Sequence, residues 1–141
     1  MKKLILFVLS VLTLAGCGGG GDDYGGGGEP ATIDATGTWR GTVTEAAFGT
    51  NTAILSIVQS GTIITGTYSS RYSTGSVSGA VSGNVVSVTI SATNCTGMMS
   101  GTATVTTNTA GQQEMALKVS GTYSCINQIY DNTATCNLVK Q

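Results

Sequence analysis

Ile64-Thr65-Gly66-Thr67-Tyr68-Ser69 sets a pattern that returns along the chain as Val77-Ser78-Gly79-Ala80-Val81-Ser82, Met99-Ser100-Gly101-Thr102-Ala103-Thr104 and Val119-Ser120-Gly121-Thr122-Tyr123-Ser124. Larger apolar residues alternate with small hydroxylated ones, and a glycine falls on the apolar phase. Successive side chains of an extended backbone point to opposite faces, so period-two alternation marks a half-buried strand. Helical spacing, with apolar residues three and four apart, is missing from Thr36 onward. The pattern predicts an all-β domain.

Working outward, the same alternation predicts eight strands, over 37–45, 52–59, 62–69, 75–82, 85–92, 97–107, 113–123 and 133–140. Ser60-Gly61 and Gly83-Asn84 suit two-residue hairpin turns. One face gathers Trp39, Val43, Ala53, Leu55, Ile57, Ile64, Tyr68, Val77 and Val81. It continues through Val86, Val88, Ile90, Met99, Ala103, Val105, Met115, Leu117, Val119, Tyr123, Ala134, Cys136 and Leu138. The other face is mostly Thr, Ser, Arg, Lys and Glu. Strand 52–59 breaks the rule, because Ile54 and Val58 make its second face apolar as well. One dry and one wet face per strand is the antiparallel arrangement. Eight such strands with short connections close most simply into an up-and-down β-barrel, which leaves no exposed edge. A two-sheet β-sandwich is the alternative.

Gly41 shares the apolar phase with Gly66, Gly79, Gly101 and Gly121. A mid-strand glycine weakens a sheet unless a bend or a close approach requires it. Two accounts compete. In one, the strands coil sharply and Trp39, Tyr68 and Tyr123 fill the space. In the other, the absent side chains at Gly41, Gly79, Gly101 and Gly121 leave a ligand cavity. An eight-stranded interior is only just wide enough for side chains, which favours the first.

Composition narrows function by exclusion. The 141 residues contain no histidine, which removes the commonest general base, the commonest metal ligand and the histidine-dependent nucleophile arrangements. No P-loop or zinc spacing is present, and the few carboxylates form no close pair. From Ala31 onward Arg40, Arg71, Lys118 and Lys140 face Asp34, Glu45, Glu114 and Asp131, so no basic patch awaits a nucleic acid. No catalytic residue, cofactor or metal is expected. Only Glu45 and Asp131, at one end of the barrel, offer carboxylates to an enzyme there.

The N-terminus is a separate unit. Met1-Lys2-Lys3, the apolar run Leu4–Val8 with Leu9, Val11 and Leu12, and the small residues Ala15-Gly16 have the three parts of a secretory signal. The apolar stretch is shorter than the ~20 residues of a membrane-spanning helix. Leu14-Ala15-Gly16-Cys17 resembles the lipobox of bacterial lipoproteins. The resemblance implies that residues 1–16 are removed and that Cys17 becomes an acylated N-terminus anchored in the membrane. Each buried CH₂ adds about 0.8 kcal/mol, and two or three chains on one residue hold a protein durably. Gly18 rather than Asp follows Cys17. In the enterobacterial sorting rule this favours the outer over the inner membrane. Residues 17–30 then form a tether: eight of the eleven residues from Gly18 to Gly28 are glycine, too polar and too plain to fold. The β domain occupies 31–141.

Gly37-Thr38-Trp39 followed by Ile64-Thr65-Gly66-Thr67-Tyr68 resembles the opening of the avidin family of biotin-binding barrels. The resemblance implies that Trp39 closes the barrel base and that Tyr68 and Ser70 stand at the biotin ureido oxygen. Gly41 and Glu45 occupy positions where that family has an asparagine and a serine, and a single tryptophan leaves the aromatic cage incomplete. Lipocalins share the Gly-x-Trp opening.

Export predicts a disulfide among Cys95, Cys125 and Cys136. In an up-and-down barrel the Cys95 and Cys125 loops open at one end, which makes Cys95–Cys125 the first choice and Cys125–Cys136 the rival. Cys136 is in phase with the interior. That same end carries the longer expected connections, 46–51, 70–73, 93–96 and 126–131, and with them Phe48, Arg71, Tyr72, Ile126, Ile129 and Tyr130. Contact surfaces are rich in aromatic residues and Arg, so these six are the candidate partner-binding residues; packing over the barrel mouth would use the same residues. The expectation is a non-catalytic, membrane-anchored module binding an envelope protein or glycan. A lipocalin-like carrier of a small apolar ligand is the alternative.

Overall fold

The computed structural model describes residues 30–93, 95–125 and 128–141. Cys17, the glycine-rich stretch and Ile126 lie outside the described residues. The alternating segments form β1 (Gly37–Glu45), β2 (Gly49–Ser60), β3 (Ile63–Ser70), β4 (Thr74–Ser82), β5 (Val85–Ala92), β6 (Thr96–Gly97), β7 (Met99–Thr107), β8 (Gln113–Cys125) and β9 (Gln128–Lys140). The two-residue β6 is a forerunner of β7. Its pairs Thr96↔Ser124 and Gly97↔Tyr123 continue the register that Ser100↔Ser120 begins. The strands pair antiparallel in succession, with β5 joined to β7 and β6 to β8, and β1 closes on β9 through Trp39↔Lys140 to Glu45↔Ala134. The result is a closed, eight-stranded up-and-down barrel rather than a sandwich.

The dry face became the interior. All the residues assigned to it are buried except Met99, which is half-buried. Strand β2 resolves its ambiguity through register: Ala53, Leu55 and Ile57 point inward, leaving Val58 63 % exposed. One end is sealed. Trp39 is fully buried there, and its Nε1 donates to the Ala35 carbonyl at 2.9 Å. Residues 30–36 cross this base, held by Gln59, whose Oε1 accepts from the Ala35 amide and whose Nε2 donates to Ile33 O and Gly61 O. Lys140 Nζ sits 5.6 Å from the Trp39 ring centre and donates to Asp34 O and Gln113. Emptying the Trp39 site would cost about 3–5 kcal/mol.

The inward glycines follow the close-approach account. A Cβ on Gly41 would overlap the carbonyl oxygen of Asn137, and one on Gly101 that of Lys118. The neighbouring strand's backbone occupies the space where a side chain would stand. Tight coiling of an eight-stranded cylinder brings the backbones this near.

Two expected loops at the open end are largely strand. Gly49, Thr50 and Asn51 pair with Glu45, Thr44 and Val43, so the β1–β2 connection shrinks to Ala46–Phe48, with Gly49 at φ 75° completing the turn. Most of 126–131 belongs to β9: Gln128 pairs with Cys125 and Tyr130 with Tyr123. The cross-strand tyrosine pair supports that extension. Since β1 stops at Glu45, opposite Ala134, the outer part of β9 rises past β1 and forms a hairpin arm with β8, which β6 flanks as far as Ser124. At the sealed end the β2–β3 turn is Gly61-Thr62, one residue later than expected, and Gly83-Asn84 joins β4 to β5.

Candidate functional site at the barrel mouth

Four rings from four distant places in the sequence meet at the open end. Tyr72 comes from the β3–β4 loop, Phe48 from the β1–β2 turn, Tyr130 from β9 and Tyr123 from β8. Their ring centres step 5.4 Å from Tyr72 to Phe48, 5.8 Å to Tyr130 and 5.4 Å to Tyr123. The outer and inner pairs are stacked and the middle pair tilted. Arg71 lays its guanidinium 5.4 Å above the Tyr72 ring. Such pairs each contribute about 0.5–1.5 kcal/mol beyond their buried area. The row nevertheless stays open to solvent, with Phe48 37 % and Tyr72 51 % exposed.

Phe48, Arg71, Tyr72 and Tyr130 thus wall one groove of about 410 Å³, together with Tyr123 and the cysteine pair. Cys95 and Cys125 stand at disulfide distance, Cα–Cα 4.5 Å, joining the β5–β6 loop to the end of the arm. Ile129 is 75 % exposed and points outward from the arm, outside the groove walls. Ile126 lies outside the described residues.

Beneath the groove, sharing Ser73, Thr74 and Tyr123 as walls, lies a cavity of about 30 Å³. The dry–wet division of the sequence passed over two inward polar residues here: Glu45 on the cavity wall, and Asn132, two residues from the lining Ala134. Glu45 continues the inward row of Trp39 and Val43 and is 5 % exposed; Asn132 continues that of Ala134 and is 4 % exposed. The phase of β1 was the signal for Glu45. Burial pushes the Glu45 carboxyl up, while the Asn51 and Tyr68 side chains act to lower it. Asn51 Nδ2 and Glu45 Oε2 nevertheless fall short of a hydrogen bond, and both lack a partner among the described residues, as does Asn132 Oδ1. Asn132 Nδ2 reaches the Tyr123 hydroxyl at 3.5 Å. Burial raises the Tyr68 hydroxyl and the Cys136 thiol to about 12, with the nearby Glu45 charge adding to both.

Glu45 faces inward and Asp131 outward, bonded to Thr122, so the two carboxylates share no cleft. No cluster of three or more potential metal ligands occurs among the described residues. No family model, curated protein or solved structure matches this chain.

Proposed function

We propose that the chain is an envelope lipoprotein whose barrel, tethered through acylated Cys17, offers its mouth groove to an envelope protein or glycan without catalysis. The carrying observation is the exposed aromatic row of Tyr72, Phe48 and Tyr130 with Arg71 at its rim, the residue types over-used where proteins bind. Orientation supports the reading. Pro30 accepts from Gly83 N at the sealed end, so a tether entering there leaves the groove facing away from the membrane. The interior supports it too: about 30 Å³ holds one or two waters, whereas pockets for drug-sized ligands run to roughly 300–1,000 Å³. That weighs against carriage of an apolar ligand inside the barrel. The outer membrane is the favoured location, by the residue after Cys17.

Residues 30–141 contain the closed barrel and its base, so this segment serves as bait for envelope extracts, with captured proteins and glycans identified by mass spectrometry. Capture should fall strongly with Phe48→Ala and Tyr72→Ala and persist with the outward-facing Thr102→Ala. Equal capture by all three would defeat the reading. Anchoring is read separately, as loss of fatty-acid labelling and release from the membrane in Cys17→Ser.

A further inference from the structure

We propose that the floor of the mouth receives a primary ammonium group carried on a slim aliphatic stem, with the Glu45 carboxylate as its counter-charge. The inference rests on the mouth being the binding site and names the chemistry selected there.

It begins with an unpaired carboxylate. Glu45 is 5 % exposed and borders the cavity under the groove, yet its Oε2 has no hydrogen-bond partner among the described residues. Buried carboxylates are ordinarily paired or fully hydrogen-bonded, because leaving water is costly for a charge. The titratable groups that face it are Tyr68 from β3, Tyr123 from β8 and Cys136 from β9, and none can carry a positive charge. The cations of the described residues lie elsewhere. Arg40 and Lys118 project outward, Lys140 is bonded at the sealed base, and Arg71 lies over Tyr72 at the rim. Among the described residues the acidic group at the bottom of the opening therefore has no cationic partner; the Asn51 and Tyr68 side chains that act on it are neutral.

The shape and polarity of the floor define what is missing. Asn132 Oδ1, beside the cavity rather than in its lining, is a second buried acceptor without a donor among the described residues. Asn132 lies two residues from Ala134, the partner of Glu45 in the β1–β9 register, on the same inward row. Such diagonal neighbours stand about 7–8 Å apart, close enough for one small group to bond both side chains. An ammonium brings three donors and no acceptor. The cavity, about 30 Å³, has room for a head the size of one or two waters, which suits an ammonium better than a planar, five-donor guanidinium. Met98, Met99 and Val119 line the same cavity and offer apolar contact to a stem, and Tyr68 and Tyr123 border it as well. Two sources supply this chemistry: a lysine side chain of a bound polypeptide, or a free linear amine.

The test titrates residues 30–141 at pH 7.5, followed by NMR and calorimetry. Four probes are used: N-acetyl-lysine methylamide, its neutral counterpart N-acetyl-norleucine methylamide, n-pentylamine and 1-pentanol. At least one amine should bind about tenfold or more tightly than its neutral counterpart, the scale of a charge-assisted hydrogen bond in a buried site. Glu45→Gln should abolish that preference while retaining the β-sheet spectrum. Glu45→Met serves the same purpose should the glutamine variant misfold. With the preference established, tighter binding of the lysine derivative than of pentylamine assigns the site to a polypeptide, and the reverse assigns it to a free amine. Equal binding of charged and neutral probes overturns the proposal, as does an amine preference that survives both substitutions. Either of those results, with partner capture still dependent on Phe48 and Tyr72, removes the ammonium assignment and leaves the binding module standing.

Discussion

Replacing both Cys95 and Cys125 by serine tests how the arm is tied to the barrel. The two residues are 30 apart in sequence. In the chain-entropy account, releasing a loop of that size frees about 3.6 kcal/mol of unfolded-state entropy at 25 °C. With a urea dependence of roughly 1–3 kcal/mol per molar, the unfolding midpoint should fall by about 1–4 M. The single tryptophan makes the assay selective. Trp39 is fully buried at the sealed end, far from the cysteine pair, so its fluorescence reports the whole cylinder. Hydrogen exchange on Gly121–Ser124 reads the arm separately. The expected result is a coordinated loss at both places, because the loop removed spans β6, β7 and β8 and not the arm alone. A midpoint shift below about 0.3 M, or faster exchange confined to the arm with Trp39 unaffected, would refute the entropy argument.

Three further outcomes follow from the same geometry. Gly41→Ala should lower stability by about 1–3 kcal/mol in urea titration, because its Cβ meets backbone that cannot rotate away, while Thr42→Ala beside it should change little. Glu45 holds its proton more tightly folded than unfolded, so the stability it lends is full below the ordinary value of 4.5 and is lost as pH rises through the higher folded value. Glu45→Gln should therefore stabilise the unliganded barrel at pH 7 relative to pH 4, read as the difference between melting temperatures of variant and parent. Cys136, buried beside the mouth cavity and pushed up to about 12, should react with thiol reagents far more slowly in the folded barrel than in urea-unfolded protein.

The fold was legible because inward and outward residues keep step with the pleat. Even β2, apolar on both faces, declares its register once Leu55 is set opposite Trp39 on β1 and Tyr68 on β3. The arm was hidden for the same reason. Along Gln128–Asn132 the polar Asn132 turns inward and the apolar Ile129 outward, so alternation by hydrophobicity misreads a strand as a loop. Four candidate residues shared an end of the barrel from topology alone. That they form a stacked row depends on the lengths of β2 and β9, which the residues do not spell out. Glu45 was legible only as a position: the 39–41–43–45 phase turns it inward, but nothing local shows that its neighbours leave it unpaired.

The seam between β1 and β9 ties the first stretch of the cylinder to the last. A chain emerging N-terminus first can zip β1 to β2, β2 to β3 and onward, one hairpin after another, yet the wall stays open until the closing thirteen residues appear. Throughout that interval the free border of β1 is a template for any stray strand. Completion is therefore an all-or-nothing event at the end of the chain, and losing the tail of β9 would leave an open, sticky half-pipe instead of a slightly shorter barrel.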